Sequence, residues 1–314
     1  MRLLVSGAGG FLGRALTAAL LAPEPPLAFE RLTLTDLRLS VDHADPRLRV
    51  IEGDLRDPAH RAALVGDGVD VLLHLAALPS GTTEGQPAEA RAVNLDASID
   101  LFEAVAAAGA RPRIVHASSI AALGQPGTEQ VTDATPLRPT MTYGALKAML
   151  ESWLCDMHRR GSISGLAIRL PGLVARPLTR TGQRSAFLSD AFHYMRAGQA
   201  CTLPVRPEAT SWLMSVDRCV ANMVHAVQLD AQPEWPAFTL PALRLGMSEV
   251  VAALAEATGA DPSLVSYDPD PALEAIFASY PPLRTAIADT LGFRHDGSVD
   301  ELVRAALAGI ERGV

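Results

Sequence analysis

Short apolar runs alternating with helical stretches constrain this chain more than any other feature. Strands are predicted over Arg2 to Ser6, Arg31 to Thr35, Leu48 to Glu52, Asp70 to His74 and Arg113 to Ala117. Helices are predicted near Phe11 to Leu21, Pro58 to Leu64 and Pro87 to Ala108, then from Thr142 to Arg160, with a further strand at Gly165 to Leu170. Strands that are apolar at nearly every position need cover on both faces, which a parallel sheet flanked by helices supplies. With 48% hydrophobic residues, the chain can bury the large core such a sheet requires.

The turn after the first strand reads Gly7-Ala8-Gly9-Gly10-Phe11-Leu12-Gly13, with glycines three apart at 7, 10 and 13. It opens a helix, and amides at a helix N-terminus can hold a pyrophosphate that approaches a glycine backbone closely. A tight turn with nothing bound would look similar, but the strand-turn-helix setting favours the nucleotide. The expected fold class is therefore α/β, a Rossmann-type doubly wound parallel sheet. Asp36 follows the second strand, 23 residues after Gly13. An acid there accepts from ribose hydroxyls and repels a 2'-phosphate, which favours NAD over NADP, although Arg38 nearby could receive a phosphate. Asp54 and Leu55, after the third strand, are expected to meet the adenine.

After about residue 171 prolines are frequent and loops lengthen, with helices at Val216 to Leu229 and Met247 to Thr258. Residues 1–170 are expected to form the NAD-binding part. Residues 171–314 are expected to form a smaller, mostly helical substrate-binding part, some segments of which return to the sheet. No Ser/Gly-rich linker divides them.

The segment Tyr143-Gly144-Ala145-Leu146-Lys147 carries the chemistry. The chain has 27 Lys plus Arg, and Lys147 is its single lysine. On a helix, residues 143 and 147 share a face. A phenol with a pKa near 10 is a poor base at neutral pH, but a neighbouring ammonium favours the phenolate. Tyr143 can then take a proton from a substrate alcohol while hydride leaves the adjacent carbon. Arginine, a wide planar fork, would not replace the compact ammonium. Ser118 and Ser119 end the fifth strand at the sheet's carboxyl edge, where a hydroxyl can hold the substrate oxygen.

As a set, "GAGGFLG", "HLAA" at His74 to Ala77, "SSIAALG" and "YGALK" resemble the extended short-chain dehydrogenase/reductase family over about residues 1 to 185. The resemblance implies an NAD-dependent enzyme with Ser119, Tyr143 and Lys147 as catalytic residues. It implies a cofactor site of Gly7, Gly10, Phe11, Leu12, Gly13, Asp36, Asp54, Leu55, Leu75, Ala76, Ala77, Tyr143 and Lys147, with Asn94 in a structural role. Ile120 and Ala121 follow the serine where the family's dehydratases carry acids, and Gly172 stands where many sugar-nucleotide members carry asparagine. The first departure argues against dehydration, and the second weakens an epimerase reading.

The second half, "TSWLMSVDRCVANMVHA" from Thr210, "FTLPALRLGMSEVVAAL" and "DPDPALEAIFASYP", resembles the D-erythronate dehydrogenases. That implies oxidation of the 2-hydroxyl of a small sugar acid. A carboxylate needs a cation, and Arg169, Arg176, Arg180 and Arg184 lie in a stretch free of acids; arginine suits bidentate carboxylate binding. Arg176 and Arg184 are the expected substrate contacts, with Ser80, Ser119, Tyr143 and Trp212 beside them. Alternatives are a uronate or aldose dehydrogenase, a nucleotide-sugar epimerase, and a non-catalytic NAD-binding redox sensor.

A net charge of −8 disfavours a nucleic-acid or anionic-membrane partner. No apolar run reaches the roughly 18 to 20 residues of a membrane span. The apolar N-terminus, broken by glycines and Arg14, reads as strand, turn and helix, not as a signal peptide. Three scattered cysteines without a CxxC pair suit a reduced, cytoplasmic protein. The eight histidines show no metal-ligand spacing. A homodimer is expected through the helices near Pro87 to Ala108 and Thr142 to Arg160.

Overall fold

The computed structural model describes residues 1–41, 43–127, 129–178, 185–230 and 233–313. The chain falls into two compact units, neither of them one continuous segment. The first comprises Met1–Ala122, Met141–Arg169 and Val220–Phe238; the second comprises Leu123–Thr140, Leu170–Cys219 and Thr239–Val314. No single cut near residue 171 separates them, because Leu123–Thr140 joins the second unit and Val220–Phe238 returns to the first.

The first unit is built on strands β1 (Arg2–Ser6), β2 (Arg31–Asp36), β3 (Leu48–Glu52), β4 (Val71–His74), β5 (Arg113–Ser119) and β6 (Ser164–Leu170). A seventh strand, Ala237–Thr239, comes from late in the chain, and the sheet order is Ala237–Thr239, β6, β5, β4, β1, β2, β3. The pairs β1 with β2, β1 with β4, β2 with β3 and β4 with β5 are parallel. This is the doubly wound order, which reverses direction between β1 and β4 and leaves a crevice at the strands' carboxyl ends.

Register aligns the site. Ser6 faces His74 across β1 and β4, and His74 faces His116 across β4 and β5. The glycine turn, the Leu75-Ala76-Ala77 segment and the Ala117-Ser118-Ser119 strand end therefore leave the sheet at one edge. The helix Pro87 to Ala108 expected from the sequence is interrupted: a π-helical turn, Ala92–Asp96, divides Pro87–Arg91 from Ala97–Ala108. That turn aims Asn94 at the loop after β4, where its side chain accepts from the Leu78 amide at 2.6 Å and donates to the Leu78 carbonyl at 3.0 Å. The wider turn also accommodates Ser98, whose hydroxyl reaches the Val93 carbonyl and the His74 ring.

The core of the first unit gathers Leu4, Leu72, Leu101, Phe102, Ile114, Leu150 and Leu154 from sheet and helices. Each such side chain contributes roughly 1.5–3 kcal/mol by leaving water. The second unit has its own core, with Phe187, Phe192, Leu213, Leu254, Leu302 and Val303. It also has a three-stranded sheet ordered Leu243–Gly246, Thr210–Met214, Gly172–Leu173. Among the described residues no helix is long and apolar enough to cross a membrane.

Two glycines of the turn are fixed by close approach. Gly7 has φ +76°, and a Cβ there would lie 2.5 Å from the Ala76 nitrogen. A Cβ on Gly13 would lie 2.1 Å from the Gly7 carbonyl oxygen. Neither neighbour is a flexible side-chain end, so the backbone itself would have to shift. Gly13→Ala is expected to lower stability by about 1–3 kcal/mol, the usual range for overpacking, read from urea unfolding midpoints.

Candidate active site

The glycine turn presents a helix start built for an anion. The helix Phe11–Leu20 begins after Gly10, which provides no side-chain cap, and its first turn carries no acid. The leading amides of a helix lack intrahelical acceptors and carry the positive end of its dipole. At Gly7 and Gly13 a side chain would fill the cradle, so the donor set and the close backbone suit a dinucleotide pyrophosphate. Asp36 sits beside the turn: one carboxylate oxygen accepts from the Gly9 amide at 2.9 Å, the other from Leu37 at 2.7 Å. A carboxylate has about four acceptor positions, which leaves capacity for a ribose diol. A cleft of about 740 Å³ opens alongside, lined by Ala8, Gly9, Arg14, Arg38, Leu39 and Glu52 among others.

Asp54 and Leu55, expected at the adenine, each have a structural partner as well. Both Asp54 oxygens bind Arg56, at 2.6 to 3.1 Å, and that hydrogen bonding lowers the Asp54 pKa. The Leu55 side chain packs into the core.

The helix Thr142–Arg159 positions the catalytic candidates. Glu84 accepts from the Thr142 amide at its start, at 2.6 Å. Its buried residues, Lys147, Leu150, Glu151, Leu154 and Cys155 among them, recur at three- and four-residue spacing. Tyr143 lies on the same stripe, and the Lys147 ammonium stands 5.6 Å from its ring centroid. Lys147 is 3% exposed, and its Nζ donates to the Ala117 carbonyl of β5 at 2.6 Å. Burial pushes the ammonium down to about 7 from 10.5, while Glu151 pulls it back up.

The two serines at the end of β5 face different ways. Ser118 is buried and donates to Glu151. Ser119 is only half-buried, and its oxygen accepts from the Ala121 amide at 3.1 Å. Of the pair, Ser119 is the one turned from the core. His74 and His116 serve the interior. His74 bridges Ser6 at 2.7 Å and Ser98 at 3.0 Å, and burial takes it down to about 3. His116 stacks beside it, its centroid 5.4 Å away, and burial drives its pKa well below the ordinary value.

The substrate-side expectations meet mixed placements. Arg169 is no ligand for a substrate carboxylate: it is buried on Glu151, with Nη2 at 2.7 Å. Arg176 is half-buried and donates from Nε to the Leu173 carbonyl at 3.2 Å. Arg180 and Arg184 lie outside the described residues. Trp212, expected on a pocket wall, is fully buried in the second unit; its indole N–H donates to the Pro281 carbonyl at 2.8 Å and its ring lies 4.7 Å from Tyr280. It is a core residue. Ser80 starts the helix Ser80–Gly85 and accepts at its carbonyl from the Thr83 hydroxyl. Sequence reasoning missed Glu151, although its place four residues after Lys147 put it on the visible stripe. Among the described residues no three His, Cys, Asp or Glu side chains cluster as a metal site would.

Fold and glycine cradle together define a dinucleotide-binding protein of the doubly wound class. The profile of the NAD dependent epimerase/dehydratase family matches residues 3–234, and the chain belongs to that family. It is 34% identical over 315 residues to a D-erythronate dehydrogenase of Cupriavidus necator, covering 97% of each chain. It is 29% identical over 308 residues to a D-erythronate dehydrogenase of Haemophilus influenzae, covering 97% of this chain and 98% of that one. Among solved structures it is similar to a nucleoside-diphosphate-sugar epimerase from Agrobacterium tumefaciens, at TM-score 0.89 and 29% identity, covering 100% of this chain and 95% of that one.

The lowered Lys147 pKa links stability to pH. Below an unfolded value near 10.5 the unfolded chain holds this proton, and the folded chain resists it until about 7. The contribution is therefore fully present above the unfolded value and is lost as pH falls from about 10.5 towards 7. Relative to Lys147→Met, the wild-type protein should gain stability as pH rises through that window, measured as the difference between their unfolding curves from pH 7 to 9.5.

Proposed function

We propose that this chain is a dehydrogenase that oxidises the 2-hydroxyl of a small sugar acid with NAD as acceptor, D-erythronate being the substrate and the 2-keto acid the product. The observation that carries the reading is the buried Lys147 ammonium, pinned to Ala117 and 5.6 Å from the Tyr143 ring. The near full-length similarity to two D-erythronate dehydrogenases supports the choice of substrate.

In this reading the uncapped start of Phe11–Leu20 holds the pyrophosphate, Asp36 the adenosine ribose, and Leu75 to Ala77 line the cofactor's path. When bound, NAD supplies the hydride acceptor. Ser119 holds the substrate hydroxyl oxygen. Tyr143 takes the hydroxyl proton as the C2–H pair departs, and Lys147 stabilises the phenolate by charge. Arg176 and Arg184 are proposed for the carboxylate. The reading includes a cytoplasmic homodimer paired through Ala97–Ala108 and Thr142–Arg159; exposed Met149 on the second helix supports that surface.

Purified protein with NAD and D-erythronate should produce absorbance at 340 nm. Interconversion of a UDP-sugar without net NADH would replace this reading by an epimerase. Tyr143→Phe should lower kcat by about 10²–10⁴-fold, the span of general acid–base catalysis, while NAD binding followed by calorimetry stays within a few-fold. Unchanged turnover would remove the tyrosine from the mechanism.

A further inference from the structure

We propose that Glu151 is a positioning residue for the catalytic lysine: held rigidly one helical turn beyond it, its carboxylate keeps the buried Lys147 ammonium charged beneath Tyr143. The catalytic meaning rests on the reading above; the electrostatic statement does not.

The geometry is a stripe backed by two strands. Tyr143, Lys147 and Glu151 follow one another at four-residue spacing on the helix Thr142–Arg159, so all three share a face. Successive residues of β5 receive the last two: the Ala117 carbonyl takes the Lys147 ammonium, and the Ser118 hydroxyl donates to Glu151. From β6, Arg169 grips both Glu151 oxygens, with Nε at 3.0 and 3.1 Å and Nη2 at 2.7 Å. Glu151 is 1% exposed, Ser118 2% and Arg169 6%. The carboxylate therefore cannot rotate away or be screened by water.

An ammonium buried to this degree is unfavourable by itself, and a single carbonyl is a partial replacement for its hydration. The groups around it do not otherwise help. His74 from β4 and His116 from β5 are kept neutral by burial, and their proximity opposes a second charge. Cys155, one turn past Glu151, is pushed up to about 12 by burial and stays a thiol. Tyr143 favours the ammonium only once it is itself ionised. Arg169 offsets part of the carboxylate's field, but the negative end of that ion pair lies on the lysine's own helix. Glu151 thus supplies the charge that Tyr143 needs Lys147 to retain.

Lys147 being the only lysine, protein grown with ¹³C-lysine shows one lysine side-chain signal, and its titration reads the ammonium directly without substrate or cofactor. In Glu151→Gln the Lys147 midpoint should fall by about one pH unit, a tenfold change in its proton affinity. The acid limb of the kcat–pH profile should move up in step, because Tyr143 loses its charged neighbour sooner. Glu151→Asp should recover most of both shifts. If the unpaired Arg169 destabilises the single variant, Glu151→Gln with Arg169→Met removes both buried charges and should displace the midpoint in the same direction by less, because the opposing field of Arg169 is removed as well. A Lys147 titration identical in wild type and in every variant that folds would overturn the proposal and leave Glu151 a structural partner of Arg169. The outcome is independent of which sugar acid turns over, so failure of the substrate reading and failure of this one are told apart.

Discussion

The hydrogen bond from the Lys147 ammonium to the Ala117 carbonyl is the interaction on which the site depends. It ties the helix Thr142–Arg159 to the carboxyl end of β5, and so fixes where Tyr143 stands relative to the edge at which Ser119 emerges. A lysine in that position cannot be exchanged for an exposed one. A desolvated charge acts on a nearby phenol more strongly than a hydrated one, because water screens the latter. Desolvation also threatens the charge itself, and the buried ion pair of Glu151 and Arg169 lies one turn further along the same stripe.

The polar interior of the first unit follows from the same edge. Ser6, His74 and His116 lie in one row across three parallel strands. His74 is satisfied by hydroxyls on either side, from Ser6 and from Ser98 on the flanking helix. The π-helical turn that admits Ser98 also delivers Asn94 to both polar groups of the Leu78 backbone. A single irregular turn therefore holds the loop that leaves β4 next to the glycine turn, where Ala76 packs so tightly on Gly7 that no side chain fits.

Much of this was legible from residue order. The strand and helix positions, the glycine turn with Asp36 beside it, and the shared face of Tyr143 and Lys147 all depend on neighbours close in the chain. Periodicity reports such neighbours directly. That some segments beyond residue 171 return to the sheet was expected, but which ones was not legible. Val220–Phe238 belongs to the first unit and Ala237–Thr239 completes its sheet, and a three-residue strand carries too little pattern to announce its partner. The arginine patch was legible only in part, for a related reason. Arg169 shares a sequence stretch with Arg176, yet it is a buried partner of Glu151, a pairing across 18 residues that no local pattern displays.

The sequence alone determined the class of sheet, the nucleotide-binding turn, and the residue types able to move a proton, because each is written in spacings within one or two elements. Tertiary structure decided which serine turns inward to Glu151, which arginine is taken up by the core, where Trp212 is buried, and how strongly Lys147 is desolvated. Those outcomes depend on burial and on partners brought together from distant strands. Burial is a property of the packed whole, and the linear order of residues does not specify it.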